Sequence, residues 1–124
     1  SRLCGQSVTE IQENRIATVR QLSKEWNVVL LLKGAYTVIG SPDAKIFINP
    51  TGNSALATAG SGDVLSGFIG GFLAQGLSPL HATLTGAYLH GLAAECLIQK
   101  TDSNNIVASD LFEGLRLARN VIKA

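Results

Sequence analysis

Residues 49–63 read NPTGNSALATAGSGD, and an apolar run begins at Val64 directly after them. The stretch ends in a glycine-rich turn that carries a carboxylate just where a helix is expected to begin. Gly60 and Gly62 free the backbone amides of the turn, and the first turn of a helix adds amides without partners. Amides and helix dipole together favour an anion. The turn therefore predicts a phosphate site, with the carboxylate of Asp63 facing a substrate hydroxyl as a base.

A short glycine motif of this kind also occurs in ordinary loops, so its surroundings decide its meaning. Four blocks follow one another in order: residues 30–39 (LLLKGAYTVI), 49–53 (NPTGN), 56–67 (LATAGSGDVLSG) and 88–94 (YLHGLAA). Together they resemble the C-terminal part of the ADP- or ATP-dependent NAD(P)H-hydrate dehydratases, a nicotinamide-repair family of the ribokinase-like superfamily. The resemblance is strong over residues 28–94 and looser in the flanking helices.

The resemblance implies an α/β fold, a ribokinase-like layered α/β/α domain. Residues 1–124 are expected to form the C-terminal portion of this one domain, with the N-terminal portion preceding them. In an open α/β sheet, ligands gather beyond the carboxyl ends of the strands, so Lys33, after its strand, and the turn at residues 60–63 are expected at one crevice. Lys33 offers a point charge to phosphate, and Gly34 lets the chain turn sharply.

Site residues carry over from the family position by position. Asp63 is expected to be the catalytic base and to contact the hydrated nicotinamide. The residues assigned to the adenine nucleotide are Lys33, Gly34, Ala35, Tyr36, Thr37, Gly60, Ser61 and Gly62. Asn49, Thr51 and Asn53 are further candidates for lining the site, although Asn-Pro and Gly-Asn are also common turn sequences.

The implied reaction is the repair of hydrated NADH or NADPH. ADP or ATP phosphorylates the ring hydroxyl, phosphate is eliminated, and Mg²⁺ accompanies the nucleotide. The sequence does not decide between ADP and ATP, and the resemblance also allows a homo-oligomer. Two alternatives stay open: a small-alcohol kinase of the same superfamily, acting on a hydroxymethylpyrimidine, a thiazole or a sugar, and a non-catalytic adenylate-binding module.

Composition narrows the remaining classes of function. The chain has 46% hydrophobic and 15% charged residues and a net charge of +1, so it lacks the basic clusters that bind nucleic acid or anionic membranes. No apolar run is long enough to cross a bilayer. Cys4 and Cys96 do not form a zinc motif, His90 is expected to be a packed structural residue and His81 to be exposed, so no protein-bound metal is predicted. Reduced cysteines favour a cytoplasmic location, although an N-terminal organellar signal would lie outside this chain.

Periodicity predicts helices over residues 8–26, 64–76, 80–100 and 109–122, strands over 28–32, 36–39 and 45–48, and a polar loop over 101–105. The strand at 28–32 is expected to be a central parallel strand buried on both faces. The next two strands are expected to form a hairpin. Ser7 and Glu10 suggest a capping box, and Gly67 and Gly71 suggest close approach of another backbone. The core positions expected in the last helix are Leu111, Leu115, Ala118 and Ile122.

Overall fold

A computed structural model describes residues 1–100 and 105–123 of the chain. The chain divides into two compact units, Ser1–Asn49 and Pro50–Ala124, and each is described by itself. The first unit combines helices with a small sheet, and the second is helical in its described part. The α/β class predicted from the sequence is confirmed.

The first unit begins with two helices, α1 (Val8–Glu13) and α2 (Arg15–Glu25). The capping box is confirmed, because the Ser7 side chain accepts from the Glu10 amide while the Glu10 side chain accepts from the Ser7 amide. The predicted single helix is wrong, since Asn14 interrupts it with φ −126° and ψ 36°. Its side-chain amide donates to the Glu10 carbonyl at 3.3 Å. Such local bonding lets asparagine compete with regular helix geometry.

The three strands of this unit are β1 (Leu30–Leu32), β2 (Val38–Gly40) and β3 (Ile46–Ile48), in the order β1-β2-β3. Both pairings are antiparallel, which confirms the predicted hairpin. The described residues contain no parallel neighbour of β1, which pairs with β2 alone and is only half-buried, so burial on both faces is not found in them and the central parallel position stays a prediction. An apolar run indicates burial but not the direction of the neighbouring strand.

The core of the first unit lies between α2 and β2. Val19 and Ile39 are each 1% exposed. Gly40 allows the close contact, because a Cβ at this position would lie 2.7 Å from Cγ1 of Val19. Ser23 is completely buried, and its hydroxyl donates to the Ser41 carbonyl at 3.1 Å. A buried hydroxyl is thereby satisfied within an otherwise apolar contact.

The second unit contains a short 3-10 helix (Ser54–Ala57) followed by α3 (Ser61–Ala74), α4 (Pro79–Ile98) and α5 (Asp110–Lys123). Ser78 caps α4 and Pro79 occupies its first turn, one residue before the predicted start at residue 80. Most of the predicted polar loop, residues 101–104, lies outside the described residues. Within the described part of the chain, no helix combines the length and apolar character needed to cross a membrane.

The core of the second unit surrounds α4. Ala93 and Ala94 are fully buried and pack in one cluster with Leu111 of α5. The predicted core positions Leu111, Leu115 and Ala118 are confirmed, because they are buried or pack against buried neighbours. The prediction that Ile122 is a core residue is wrong, since its side chain is 57% exposed. It lies near the end of the helix, beyond the segment of α5 that supplies the buried residues.

The predicted close approach at Gly67 and Gly71 is also wrong. Apart from the adjoining residues and the nearby backbone of α3 itself, no atom of the described residues lies within 4 Å of a Cβ built on either glycine. Close approaches occur instead at Gly86 and Gly114, where a Cβ would lie 2.6 Å from Ile69 Cγ1 and 2.6 Å from the Ala93 carbonyl oxygen. Glycine spacing within one helix does not reveal which face meets a neighbour, because that depends on the other elements.

Candidate functional site

The glycine-rich turn leads directly into α3. Gly60 is the N-cap in a left-handed conformation (φ 86°), so the helix begins at Ser61, three residues before the predicted start at residue 64. The Asp63 amide donates to the Gly60 carbonyl at 3.0 Å, and the Ser61 amide to the Thr58 carbonyl at 3.3 Å. These two amides therefore have protein partners, whereas the sequence predicts that all amides of the turn and the first helical turn are without partners. The Gly62 amide, in the same first helical turn, has no such partner among the described residues, so it can donate to an anion.

Asp63 occupies the third position of α3, and the same position of α1 holds Glu10. Glu10 folds back and accepts from the Ser7 amide at 2.8 Å and the Ser7 hydroxyl at 2.7 Å, and these bonds lower its pKa. Asp63 follows a glycine N-cap that has no side-chain hydroxyl to offer. Its side chain is exposed and receives no hydrogen bond or ion pair from the described residues. The carboxylate is therefore available to a ligand, at a helix end that favours anions.

The start of α3 is anchored to α4 by His90. This side chain is 5% exposed, and its Nε2 lies 2.9 Å from the Ser61 carbonyl oxygen. A carbonyl only accepts, so Nε2 carries the proton in this contact. The ring also meets Phe68 edge-on, with centroids 6.0 Å apart and planes at 83°. The predicted structural role of His90 is confirmed, and the role has a specific effect: it holds the turn that presents Asp63.

The turn that opens the second unit, residues 50–53, is hydrogen-bonded to α4. The Thr51 hydroxyl donates to the Tyr88 carbonyl at 2.9 Å, and the Gly52 amide donates to Oε1 of Glu95 at 2.8 Å. Gly91 provides the space, because a Cβ there would lie 2.6 Å from the Thr51 carbonyl carbon. The role of Glu95 was missed from the sequence, where it is one charge on a largely apolar helix. Its partner is distant in sequence, so periodicity carries no signal for this bond.

The asparagines of the NPTGN block differ in their roles. Oδ1 of Asn53 accepts from the Ala55 amide at 3.0 Å and so caps the 3-10 helix, which is the turn chemistry considered above. Its Nδ2 is buried and has no hydrogen-bond partner among the described residues. Asn49 belongs to the first unit, where its amide donates to the Thr37 carbonyl at 2.9 Å. Site lining by Asn49, Thr51 and Asn53 stays a prediction.

The second candidate segment, residues 33–37, connects β1 to β2 in the first unit. It is unusual in conformation, because Gly34 has φ 145° and Tyr36, a non-glycine residue, has φ 54°. The Thr37 hydroxyl donates to the Gly34 carbonyl at 3.2 Å. Lys33 and Tyr36 are exposed. The segment thus presents a cation, an aromatic ring and backbone amides to solvent.

The structure places the sequence-predicted site residues in two groups, one in each unit. The segment Lys33, Gly34, Ala35, Tyr36 and Thr37 belongs to the first unit, and Gly60, Ser61, Gly62 and Asp63 belong to the second. Their meeting at one crevice stays a prediction. Among residues 1–100 and 105–123, no group of three or more His, Cys, Asp or Glu side chains could hold a metal ion. His81 is exposed, and its Nδ1 lies 2.8 Å from the Ser78 hydroxyl at the start of α4.

Comparison with known proteins gives the relationship of the chain. A family model described as NAD(P)H-hydrate dehydratase matches residues 1–116. The bifunctional NAD(P)H-hydrate repair enzyme Nnr of Moorella thermoacetica is 48% identical over 115 residues, covering 93% of this chain and 22% of that protein. The ADP-dependent (S)-NAD(P)H-hydrate dehydratase of Neisseria meningitidis is 41% identical over 123 residues, covering 98% of this chain and 42% of that protein.

The same relationship appears in three dimensions. The ADP/ATP-dependent NAD(P)H-hydrate dehydratase of Bacillus subtilis, co-crystallized with ATP/Mg²⁺, superposes with a TM-score of 0.91 and 37% sequence identity. The match covers 96% of this chain and 43% of that one. The chain thus spans less than half the length of these relatives. Since the family model covers nearly the whole sequence, the chain belongs to the NAD(P)H-hydrate dehydratase family.

Proposed function

We propose that this chain provides the catalytic base and part of the nucleotide site for the nucleotide-dependent dehydration of hydrated NADH or NADPH. The observation that carries the proposal is the exposed carboxylate of Asp63 at the start of α3, which has no hydrogen-bond or ion-pair partner among the described residues. Two relatives support it through their names, one an ADP-dependent (S)-NAD(P)H-hydrate dehydratase and one an ADP/ATP-dependent NAD(P)H-hydrate dehydratase.

In the proposed reaction, Asp63 accepts the proton of the ring hydroxyl while that oxygen attacks the terminal phosphoryl group of ADP or ATP. The bond from phosphorus to the bridging oxygen breaks, and the shortened nucleotide leaves. The hydroxyl, a poor leaving group, has then become a phosphate ester. The lone pair of the ring nitrogen expels phosphate, and loss of the neighbouring proton restores the reduced nicotinamide. A positioned base of this kind typically contributes about 10²–10⁴-fold to the rate.

The backbone around Asp63 stabilises negative charge on the phosphoryl group during its transfer. The Gly62 amide and the positive end of the α3 dipole favour negative charge on the phosphoryl group. His90 holds this first turn through the Ser61 carbonyl, so the donors are positioned before the substrate arrives. Preorganised donors are the main source of catalysis in phosphoryl transfer.

The Bacillus subtilis enzyme was co-crystallized with Mg²⁺ together with ATP. The described residues contain no cluster of metal-ligating side chains, so they fit a cation that arrives on the nucleotide phosphates and not a dedicated protein cage. When bound, such a cation neutralises phosphate charge. We propose that Lys33, exposed at the end of β1, binds nucleotide phosphate.

The test is recovery of reduced-nicotinamide absorbance from hydrated NADH, with Mg²⁺ and either ADP or ATP, by the protein in its full natural length. Asp63→Asn is expected to lower kcat by about 100-fold or more. Its dissociation constant for nucleotide should change little. Glu10→Gln is the matched control, because it neutralises a carboxylate at the same helix position that is engaged in a cap. This control should retain wild-type turnover.

Three results would contradict the proposal. Turnover retained in Asp63→Asn together with a loss of nucleotide affinity would move Asp63 from base to binding residue. A product that keeps its phosphate would favour the small-alcohol kinase. Nucleotide binding by the folded wild-type protein without any turnover would favour the non-catalytic adenylate-binding module.

A further inference from the structure

The turn at residues 33–37 adopts a conformation that its sequence alone disfavours. Gly34 tolerates φ 145°, but Tyr36 has a β-carbon and still sits at φ 54°. A non-glycine residue in the left-handed region persists only where surrounding contacts hold it there, and such residues concentrate at functional sites. The hydrogen bond from the Thr37 hydroxyl to the Gly34 carbonyl is one such contact. A second, larger set comes from outside the turn.

That second set is donated by one side chain, Arg15, at the start of α2. Its Nη1 donates to the Ala35 carbonyl at 2.7 Å, the shortest of its contacts. Its Nη2 faces the carbonyl oxygens of Leu32 at 3.2 Å, Lys33 at 3.3 Å and Tyr36 at 3.4 Å. A planar guanidinium presents several donors in fixed directions, which a lysine ammonium cannot reproduce. One side chain therefore fixes carbonyls along the whole turn.

Gly34 is the reason that the guanidinium reaches this position. A Cβ built on Gly34 would lie 2.8 Å from Nη2 of Arg15 and 3.1 Å from its Cζ. The glycine therefore serves two needs, the unusual φ and the close approach of the cation. The sequence gives no sign of this contact, because Arg15 has the pattern of a solvated charge on an amphipathic helix.

The charge of Arg15 is not neutralised within the described residues. None of their carboxylates forms an ion pair with it, and its Nε is buried without a hydrogen-bond partner. All its hydrogen bonds in the described structure go to backbone carbonyls of residues 32–36. A cation that lacks a counter-charge beneath a turn raises the potential for an anionic ligand above that turn.

We propose that Arg15 is a positioning residue of the adenine-nucleotide site. It holds the turn at residues 33–37 in its binding conformation and adds positive potential beneath it. The inference rests on the proposed function, because the resemblance assigns this turn to the nucleotide. Arg15 acts through the backbone of the turn, so its loss should weaken nucleotide binding and leave the chemical step at saturation nearly intact.

The test uses Arg15→Lys in the protein in its full natural length, with Arg20→Lys as the matched control. Arg20 lies on the same helix and is exposed. Arg15→Lys keeps the charge but loses the planar set of N–H donors of the guanidinium. It is expected to raise the Kd and KM for ADP or ATP about tenfold or more. Its kcat at saturating nucleotide should stay within about threefold of wild type, since the base is untouched. Arg20→Lys should match wild type in every parameter.

Binding of ADP and of ATP is measured directly by calorimetry, apart from turnover. A wild type that binds nucleotide without repairing hydrated NADH would defeat the proposed function and leave the role of Arg15 still measurable. A purely structural role would appear as lower thermal stability of Arg15→Lys with wild-type Kd, and that result would overturn the inference. If Arg15→Lys does not fold, Arg15→Gln replaces it, because glutamine keeps two N–H donors and removes the charge. Wild-type Kd in folded Arg15→Gln would likewise overturn the inference.

Discussion

Gly91→Ala tests whether the turn at residues 50–53 is seated on α4 as the structure shows. A Cβ on Gly91 would lie 2.6 Å from the Thr51 carbonyl carbon and 2.7 Å from the Thr51 Cβ. Carbon atoms pack best at about 3.5–4.0 Å, so the Thr51 backbone would have to move by about 1 Å. The same movement would disturb the 2.9 Å hydrogen bond from the Thr51 hydroxyl to the Tyr88 carbonyl.

The size of the effect follows from three contributions. Overpacking against backbone typically costs about 1–3 kcal/mol. A lost hydrogen bond costs about 1 kcal/mol more, and the higher helix propensity of alanine returns about 1 kcal/mol. The net loss in free energy of unfolding is therefore about 1–3 kcal/mol. Gly67→Ala is the matched control. Gly67 lies inside α3, and a Cβ there would meet no described atom within 4 Å beyond the adjoining residues and the nearby helix backbone. Alanine should therefore raise the free energy of unfolding by about 0.5–1 kcal/mol.

Urea unfolding of the two variants and wild type, in the full natural length, measures both changes. The midpoint should fall for Gly91→Ala and rise for Gly67→Ala, with similar slopes. The reasoning is refuted if Gly91→Ala unfolds at the same urea concentration as wild type or above it while Gly67→Ala shows its gain. That pattern would mean that α4 does not pack against the turn in this way.

Two further predictions concern His90 and Glu10. His90→Leu removes the donor to the Ser61 carbonyl and should lower kcat about tenfold or more through misplacement of Asp63. His90→Gln can still donate and should recover most of the lost kcat. Equal rates for the two variants would contradict a positioning role. The hydrogen bond with the Ser7 side chain lowers the pKa of Glu10 below 4.5, so the stability that this cap adds is present above the unfolded-state pKa and is lost as pH falls through the lower folded-state pKa. The gap between the unfolding midpoints of Glu10→Gln and wild type should therefore close as the pH falls through the lowered folded-state pKa. A gap that stays constant with pH would argue against the cap.

Much of the local structure was predictable because its causes lie within a few residues. The Ser7–Glu10 capping box, the hairpin of β2 and β3 and the start of α4 at Pro79 all follow from adjacent residues. The start of α3 was placed three residues late, because the left-handed Gly60 forms the cap without a side-chain signal. Asn14 was not recognised as a break, because helical spacing continues on both sides of it.

The candidate site was predictable only in part. Asp63 and the glycines before it stand out by residue type and by family resemblance, and the structure shows that carboxylate unpartnered among the described residues. Arg15, His90 and Glu95 act through backbone groups far away in sequence. Backbone carbonyls and amides are the same at every position, so a side chain that binds one leaves no partner residue for sequence inspection to find.

Residue type and short spacings were enough to identify the family, the α/β class, the main helices and the acidic residue at the glycine turn. The antiparallel pairing of β1, the close approaches at Gly91 and Gly114, and the guanidinium beneath the turn at residues 33–37 were visible only in the folded chain. Strand direction, interhelical contact and long-range hydrogen bonding depend on where distant segments lie. That placement minimises the free energy of a whole packed unit, and no local window of sequence contains it.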